Sequence, residues 1–305
     1  MQDLINTAVS YGKAFIHEGR TASYIPELSK VDPNQLGISV VSADGRLICS
    51  GDYSSGFTVQ SISKVVALML AIMDRGEEYV FTKVGMEATG DAFNSIIKLE
   101  TAKPSKPLNP MINAGAIAID SLIQGKDPEE KFQRLLSFFR RLCANDTLWY
   151  NEKVYSSESE TGYRNRALAH FMKDVGVLEG DVEQVLDLYF KQCSIQVDSR
   201  DIAMLGAVLA LDGISPLTGE AVVSKKTARL VKTFMVTCGM YDGSGEFAIR
   251  VGIPAKSGVG GGIMAVVPGN MGIGVFSPAL DNRGNSIGGV KALEFLSEKL
   301  ELSIF

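Results

Sequence analysis

The sequence contains little histidine. Only two of its 305 residues are histidines, His17 and His170, and both fall in stretches whose apolar spacing predicts a helix. A catalytic triad built on histidine is therefore not expected. If the protein is a serine enzyme, a lysine or a tyrosine must act as its base.

Cysteine is also scarce and irregularly placed. The four cysteines are Cys49, Cys143, Cys193 and Cys238. Their scatter indicates neither a disulfide framework nor a zinc site. Free thiols in a reducing compartment are the expected state.

The chain lacks both a basic block and a membrane-spanning run. Its net charge is −5, and Lys225-Lys226 is only a short basic pair, so nucleic-acid binding is not expected. Residues 257–280 carry no charge, but their glycines, with Pro268 and Pro278, predict short strands and turns and no membrane helix. The first six residues lack the basic and apolar regions of a secretory signal, so we expect a cytoplasmic protein.

What the sequence does contain is a serine and a lysine three residues apart. Ser61 and Lys64 precede an uncharged apolar run over residues 65–73. This run predicts a buried helix that ends at Gly76 as a left-handed C-cap. The spacing puts both side chains on one face of the first turn, where a neighbouring base can make a serine nucleophilic.

The Ser-x-x-Lys pattern alone has little specificity. A chain of this length contains roughly one by chance, and a serine at a helix start is more often an N-cap. A second motif, Lys256-Ser257-Gly258, lies in a strand-like region near the C-terminus. Ser-x-x-Lys followed much later by Lys-(Ser/Thr)-Gly marks penicillin-interacting serine enzymes, so acyl transfer is the predicted reaction.

Periodicity predicts helices at both ends of the chain, with strands beside them. Residues 2–18 and 290–300 have helical patterns. Residues 36–42 and 46–50 predict two strands joined by a two-residue hairpin turn at Asp44-Gly45. Further strand-like runs are residues 247–251, 255–259, 263–267 and 271–276.

The middle of the chain, residues 77–235, has mostly helical patterns. Prolines predict a loop over residues 101–107, and Asp127 with Pro128 predicts the N-cap and first residue of a helix. Residues 158–165 predict a polar turn before a helix.

Together these elements predict an α+β protein. We expect one antiparallel sheet of about five strands, flanked by terminal helices, and an inserted all-helical lobe. A single catalytic domain would cover residues 1–305. Its sheet lobe would comprise about residues 1–60 and 236–305 and its helical lobe about residues 61–235, with the active site between them.

Acyl transfer requires a neutral base and donors for an oxyanion. Burial of Lys64 beside a second cation, Lys256, would favour the neutral amine. The backbone amide of Ser61 is one candidate oxyanion donor. A second can come from the strand after Lys256-Ser257-Gly258, where glycines let the backbone approach a ligand.

Other polar residues suit a small zwitterionic substrate. Glu158 is a candidate partner for an ammonium group, and Asn113 and Asn165 are candidates for a carboxylate. Plainer interpretations exist, because asparagines often cap helices and Glu158 in a polar turn is more often a solvated charge. Three tyrosines also offer hydroxyls, although tyrosines are more often core residues; they are Tyr24, Tyr189 and Tyr241.

Seven segments, in order over nearly the whole chain, resemble those of the serine-dependent glutaminase family, which has the β-lactamase/transpeptidase fold. They are residues 24–28 (YIPEL), 60–64 (QSISK), 109–117 (NPMINAGAI), 157–165 (SESETGYRN), 193–195 (CSI), 238–242 (CGMYD) and 254–259 (PAKSGV). Together they are far more specific than Ser-x-x-Lys alone.

The resemblance implies hydrolysis of L-glutamine to L-glutamate and ammonia. It makes Ser61 the nucleophile, Lys64 its activating base, Tyr189 a second proton-handling group and Tyr24 the residue that closes the site. The implied substrate contacts are Ser61, Asn113, Glu158, Asn165, Tyr189, Tyr241 and the backbone of Val259. The family uses no metal or organic cofactor, and its members form dimers or tetramers, so a homo-oligomer is expected.

Two other hypotheses remain open at this point. A β-lactamase or D-Ala-D-Ala peptidase of the same fold is one, but the expected cytoplasmic location separates the protein from such substrates. The other is a binding protein that kept the pocket and lost the catalytic activity. The presence of all four candidate catalytic residues argues against it; they are Ser61, Lys64, Tyr189 and Lys256. A nitrocefin assay run beside a glutamine assay distinguishes the two enzyme hypotheses. Measured ammonia release distinguishes an enzyme from a binding protein.

We predict that EDTA leaves the activity unchanged. No His, Cys and carboxylate cluster has the spacing of metal ligands, so the reaction needs no metal. Ammonia release from glutamine is measured before and after chelation. Activity that is lost with EDTA and restored by a divalent metal would contradict this prediction.

Overall fold

The computed structural model describes residues 1–101 and 103–305 and contains, in that part, a five-stranded antiparallel sheet. In chain order the strands are β1 (Gly37–Ser42), β2 (Leu47–Gly51), β3 (Phe57–Thr58), β4 (Gln196–Val197), β5 (Ala255–Ser257), β6 (Gly262–Val267) and β7 (Met271–Phe276). The sheet order is β2-β1-β7-β6-β5, and β3 pairs separately with β4. The predicted α+β class and its antiparallel sheet of about five strands are confirmed.

Helices precede, follow and interrupt this sheet. In the described chain they are α1 (Gln2–Lys13), α2 (Ser63–Arg75), α3 (Glu77–Lys83), α4 (Ile97–Thr101), α5 (Asn113–Leu122), α6 (Pro128–Cys143), α7 (Glu152–Thr161), α8 (Tyr163–Asp174), α9 (Val182–Cys193), α10 (Ser199–Ala210), α11 (Lys225–Cys238), α12 (Ser244–Arg250) and α13 (Ile287–Leu300). None of them is long and apolar enough to cross a membrane. The proposed boundaries of the sheet and helical lobes stay a prediction.

Both faces of the sheet are covered. Terminal helices α1 and α13 pack on one face, where Ile38 and Val40 of β1 join a core with Ile5 and Leu293. Helix α10 packs on the other face. It approaches β7 so closely that a Cβ on Gly272 would lie 2.1 Å from the Ala207 nitrogen. Glycine is therefore required on β7 for this contact.

Helix α2 is the centre of the helical part. Ser63 to Ile72 are all buried, as the uncharged run predicted, and α3, α5, α6 and α11 pack around the helix. It ends where Gly76 has a φ of +80°. The positive φ of this cap is confirmed, but its ψ of 151° is extended and not left-handed helical.

Several local predictions are confirmed. The side chain of Asp127 accepts a hydrogen bond from the Glu130 nitrogen, and Pro128 is the first residue of α6. Of the loop predicted over residues 101–107, Thr101 is still in α4, and Ala102 lies outside the described residues.

Two segments were assigned to the wrong element. Residues 247–251, predicted as a strand, form most of α12. Phe247 and Val251 are buried four residues apart while Ile249 is 88% exposed, which is helical spacing that a short apolar run does not reveal. The polar turn predicted for residues 158–165 is instead the end of α7 and the start of α8, separated by Gly162 alone.

Two boundaries also differ from the prediction. The hairpin between β1 and β2 has a three-residue loop, because the Ser42 nitrogen bonds to the Arg46 oxygen. Gly45, with a φ of +81°, takes the left-handed position that follows a type I turn in such loops. The first helix ends at Lys13, and a separate 3₁₀ turn covers Ile16–Glu18.

We predict that Gly115→Ala destabilises the protein by about 1–3 kcal/mol or more. A Cβ at this position in α5 would lie 1.9 Å from the backbone oxygen of Asn109, so the loop must move. Gly245→Ala is the matched control, because that helical glycine in α12 faces open space. Calorimetric melting of both variants tests this, and equal melting temperatures would contradict it.

Candidate active site

Ser61 lies in a tight turn between β3 and α2. The turn is a 3₁₀ helix, Gln60–Ile62, so the serine precedes the α-helix instead of lying in its first turn as predicted. Gln60 has a φ of +47°, an uncommon conformation for a residue with a side chain. Such strain is characteristic of functional turns. Ser61 itself is 7% exposed.

Lys64 follows the serine by three residues and lies in the first turn of α2. It is 1% exposed, and its Nζ donates to the Asn113 Oδ1 at 2.6 Å and to the Met111 carbonyl oxygen at 3.3 Å. Burial lowers the pKa of the Lys64 amine from 10.5 to about 8, although neighbouring acidic groups oppose the shift. A pKa near 8 makes the neutral amine accessible close to neutral pH.

Asn113 links the lysine to a second helix. Its Nδ2 donates to the Asn165 Oδ1 at 3.0 Å, which joins the start of α5 to α8. Neither asparagine caps its helix, since Ile112 and Gly162 occupy the N-cap positions. The interpretation of both residues as simple caps is therefore wrong.

Tyr241 is a second buried hydroxyl of the site. It donates to the Ser257 carbonyl oxygen at 3.4 Å. Burial raises the pKa of the phenol, and hydrogen bonds with the Ser61 side chain and the Val259 backbone oppose this shift. The backbone at Tyr241 has a φ of +55°. Thus the nucleophile turn and the segment after β5 meet at one hydroxyl.

Lys256 lies on β5 behind the ring of Tyr241. Its Nζ donates to the carbonyl oxygens of Gly239 at 3.1 Å and Ser257 at 2.7 Å, and it is 4.6 Å from the ring centroid of Tyr241. Burial, followed by the charge of Lys64, lowers the pKa of Lys256 well below its usual range. The pKa of Lys64 is itself lowered mainly by burial. The predicted effect of Lys256 on the Lys64 amine is therefore not needed to explain that lowered pKa.

Glycines bring the end of β5 against the nucleophile turn. A Cβ on Gly258 would lie 2.7 Å from the Val59 oxygen, and one on Gly260 would lie 2.5 Å from the Thr58 oxygen. The expected close approach of backbone after Lys256 therefore occurs, and it is an approach to the turn that carries Ser61.

Glu158 and Tyr189 lie on neighbouring helices, α7 and α9. Glu158 is 6% exposed, and its Oε2 has no hydrogen-bond partner in the described chain. Burial raises its pKa from 4.5 to about 8, despite a hydrogen bond from Gln60 and the charge of Lys64. The interpretation as a solvated charge is wrong. Tyr189 is 2% exposed and interacts with the thiol of Cys193, one helical turn further on.

Tyr24 lies at the rim, 54% exposed. Its ring centroid is 6.5 Å from that of Phe93, a residue that the sequence did not single out. Phe93 is 4.9 Å from the Tyr241 ring centroid and 6.0 Å from the Lys64 Nζ, and its carbonyl oxygen accepts from the Asn113 nitrogen. It lies between α3 and α4, in a segment that has no periodic pattern from which its position could be predicted.

The structure therefore brings nearly all predicted residues into one buried cluster. Lys64, Asn113 and Asn165 form one hydrogen-bonded group. Ser61 and Tyr241 form another, and the Phe93 ring contacts both Lys64 and Tyr241. A hydroxyl beside a buried amine suits nucleophilic attack on a carbonyl. In residues 1–101 and 103–305 no three His, Cys, Asp or Glu side chains converge as metal ligands.

Comparisons with known proteins agree with this chemistry. The glutaminase family model matches residues 19–305. A glutaminase of Clostridium botulinum is 58% identical over 305 residues, which is the full length of both chains. A Bacillus glutaminase crystallised in 4.3 M NaCl superposes with a TM-score of 0.93 at 44% identity, covering 100% of this chain and 99% of that one.

A second solved structure carries a bound ligand. It is a covalent complex between a Bacillus subtilis glutaminase and 5-oxo-L-norleucine, formed by reaction with 6-diazo-5-oxo-L-norleucine. It superposes with a TM-score of 0.90 at 42% identity and covers 100% of this chain and 99% of that one. Because a family model spans most of the chain and relatives match it at full length, the protein belongs to the glutaminase family.

Proposed function

We propose that this member of the glutaminase family hydrolyses L-glutamine to L-glutamate and ammonia through an acyl-enzyme on Ser61, with Lys64 as the base. The observation that carries the mechanism is the buried amine of Lys64, which lies one turn beyond the serine and is oriented by Asn113. The covalent complex of the Bacillus subtilis relative supports a nucleophilic mechanism.

In the first half-reaction, neutral Lys64 takes the hydroxyl proton of Ser61 while the Oγ attacks the side-chain carbonyl carbon of glutamine. The backbone N–H groups of Ser61 and Val259 are the proposed donors to the oxyanion. The tetrahedral intermediate collapses by breaking the C–N bond. Ammonia leaves with the proton that Lys64 returns, which restores the neutral amine.

In the second half-reaction, water replaces ammonia. Lys64 takes a proton from the water as its oxygen attacks the ester carbonyl, and the C–O bond to Ser61 then breaks. The serine oxygen regains a proton from Lys64, and glutamate leaves. Tyr189 stays proposed as a second proton-handling group, but Tyr241 is the tyrosine whose hydroxyl contacts Ser61.

Substrate recognition is proposed to rest on the charged ends of glutamine. Glu158 would pair with the α-ammonium, which supplies the positive charge that lets a carboxyl with a pKa of about 8 ionise. Asn113 and Asn165 would face the α-carboxylate, and Tyr189 and Tyr241 would line the site. Tyr24 would close over the bound substrate from the rim.

The state of the protein in the cell is proposed from the family resemblance. We propose a cytoplasmic homo-oligomer, a dimer or a tetramer, that needs no metal or organic cofactor. Its substrate is free glutamine, and no nucleic acid or membrane takes part.

Ser61→Ala and Lys64→Ala should each lower kcat/KM at least about a thousandfold while the fold is kept. The double variant should be no worse than either single one, because residues that act as one unit are not additive. Ammonia release, with circular dichroism to check folding, measures this. Lys153→Ala, an exposed lysine on α7, is the control. Substantial activity in Ser61→Ala would refute the serine mechanism.

Glu158→Gln should lose about 2–5 kcal/mol of transition-state binding, the range for breaking a buried charge pair. It should also lose most of the preference for glutamine over glutaramate, which lacks the α-amino group. The measurement compares kcat/KM for both substrates in both proteins.

Glu160→Gln is the matched control for this prediction, because Glu160 is an exposed carboxylate on the same helix. It should keep the wild-type ratio of glutamine to glutaramate. An unchanged ratio in Glu158→Gln as well would show that Glu158 does not bind the amino group.

A further inference from the structure

The buried amine of Lys64 has two hydrogen-bond acceptors among the described residues. They are the Asn113 Oδ1, at 2.6 Å, and the Met111 carbonyl oxygen, at 3.3 Å. A charged lysine has three N–H donors and no lone pair, whereas the neutral amine has two donors and one lone pair. The two oxygens can therefore take both N–H groups of the neutral amine. The lone pair that accepts a proton is then left in the one remaining direction.

Each of these two oxygens must be held in place, because each helps to set the direction of the lone pair. The Asn113 side chain is held by its own hydrogen bond to Asn165, at 3.0 Å. The Met111 oxygen belongs to the peptide group that joins Met111 to Ile112, just before α5. A side chain that fixes this peptide group also fixes the second acceptor of the base.

Asn109 bonds to the same peptide group through its N–H. The Asn109 Oδ1 accepts hydrogen bonds from the backbone nitrogens of Met111, at 2.9 Å, and of Ile112, at 3.2 Å. The Ile112 N–H and the Met111 C=O are the two ends of one planar peptide group, and in a trans peptide they point in opposite directions. The contacts thus form one chain, from the Asn109 Oδ1 through this peptide to the Lys64 amine.

The other end of the Asn109 amide is bonded as well. Its Nδ2 donates to the Glu87 carbonyl oxygen at 2.8 Å, and the residue is 0% exposed. An asparagine whose side chain bonds the backbone two residues further on forms an Asx-turn. Because both ends of the amide have partners, the side chain loses a hydrogen bond if it rotates. Its burial keeps it away from a substrate.

We propose that Asn109 is a positioning residue for the base. Its Oδ1 fixes the peptide group whose carbonyl oxygen holds the Lys64 amine, so that the lone pair keeps the orientation needed to take the proton of Ser61. The inference rests on Lys64 being the base, as proposed above. Without the Asn109 acceptor the peptide group can rotate, and the amine loses one of the two oxygens that orient it.

The test compares variants that lose or keep the acceptor at this position. Asn109→Ala loses it, and Asn109→Leu loses it while nearly keeping the shape of the side chain. Each should lower kcat for glutamine on the order of a hundredfold, the cost of a catalytic group misplaced by about 1 Å. KM should change little, because no proposed substrate contact is removed. Ammonia release at varied glutamine concentration measures both constants.

Asn109→Ser is the conservative variant, because a serine hydroxyl can also accept from the backbone nitrogen two residues further on. It loses the contact with Glu87, as the other two variants do, so all three should melt at a lower temperature than the wild type. A merely structural residue would make kcat follow the melting temperature. We expect instead that Asn109→Ser keeps kcat within about tenfold of the wild type, the scale of one weakened hydrogen bond.

Asn145→Ala is the matched control. The Asn145 Oδ1 accepts from the Thr147 nitrogen at 3.0 Å, which is the same two-residue contact, and its Nδ2 donates to the Asp201 Oδ1 at 2.8 Å. This turn follows α6 and has none of the site residues in it. Removing its side chain should lower the melting temperature and leave kcat and KM unchanged.

A folded acceptor-free variant with wild-type kcat overturns the inference, and so does an Asn109→Ser variant that loses about a hundredfold in kcat. A rise in KM at unchanged kcat also overturns it, since the residue would then act through substrate binding. In these outcomes the loss of activity in Lys64→Ala still identifies Lys64 as the base. Activity that survives in Lys64→Ala refutes the base, and with it the role of Asn109.

Discussion

The site depends on one buried hydrogen bond, from the Lys64 amine to the side-chain oxygen of Asn113. This bond joins α2 to α5 and holds a buried amine on the residue three positions after Ser61. The lowering of the Lys64 pKa from 10.5 to about 8 corresponds to about 3 kcal/mol less favourable protonation. The packing around α2, in which Ser63 to Ile72 are all buried, must provide that free energy.

The sheet supplies the opposite wall of the site. Lys256 on β5 is held by two backbone carbonyl oxygens, and Gly258 and Gly260 allow the chain after β5 to lie against the nucleophile turn. Helix α10 and the terminal helices cover both faces of the sheet that carries this wall. The polar groups that meet at Ser61 thus belong to segments held by separate hydrophobic cores.

Much of this arrangement was predictable from the sequence. The uncharged run located α2, the capping signal at Asp127 and Pro128 located α6, and the paired motifs around Ser61 and Lys256 indicated acyl transfer. Prediction was poorer where a segment was short or polar. Residues 247–251 look equally like a strand or one face of a helix, and Glu158 carries no local sign of burial, because the groups that bury it come from other parts of the chain.

By itself, the sequence determined the class of chemistry, the family and the central helix, since these depend on residue types at short spacing. Only the tertiary structure decided which polar groups are desolvated and which hydroxyl meets the nucleophile. Phe93 was found as a site residue for this reason alone. Burial and electrostatic coupling arise between segments that are distant in the chain. A local sequence pattern therefore does not reveal the resulting pKa values.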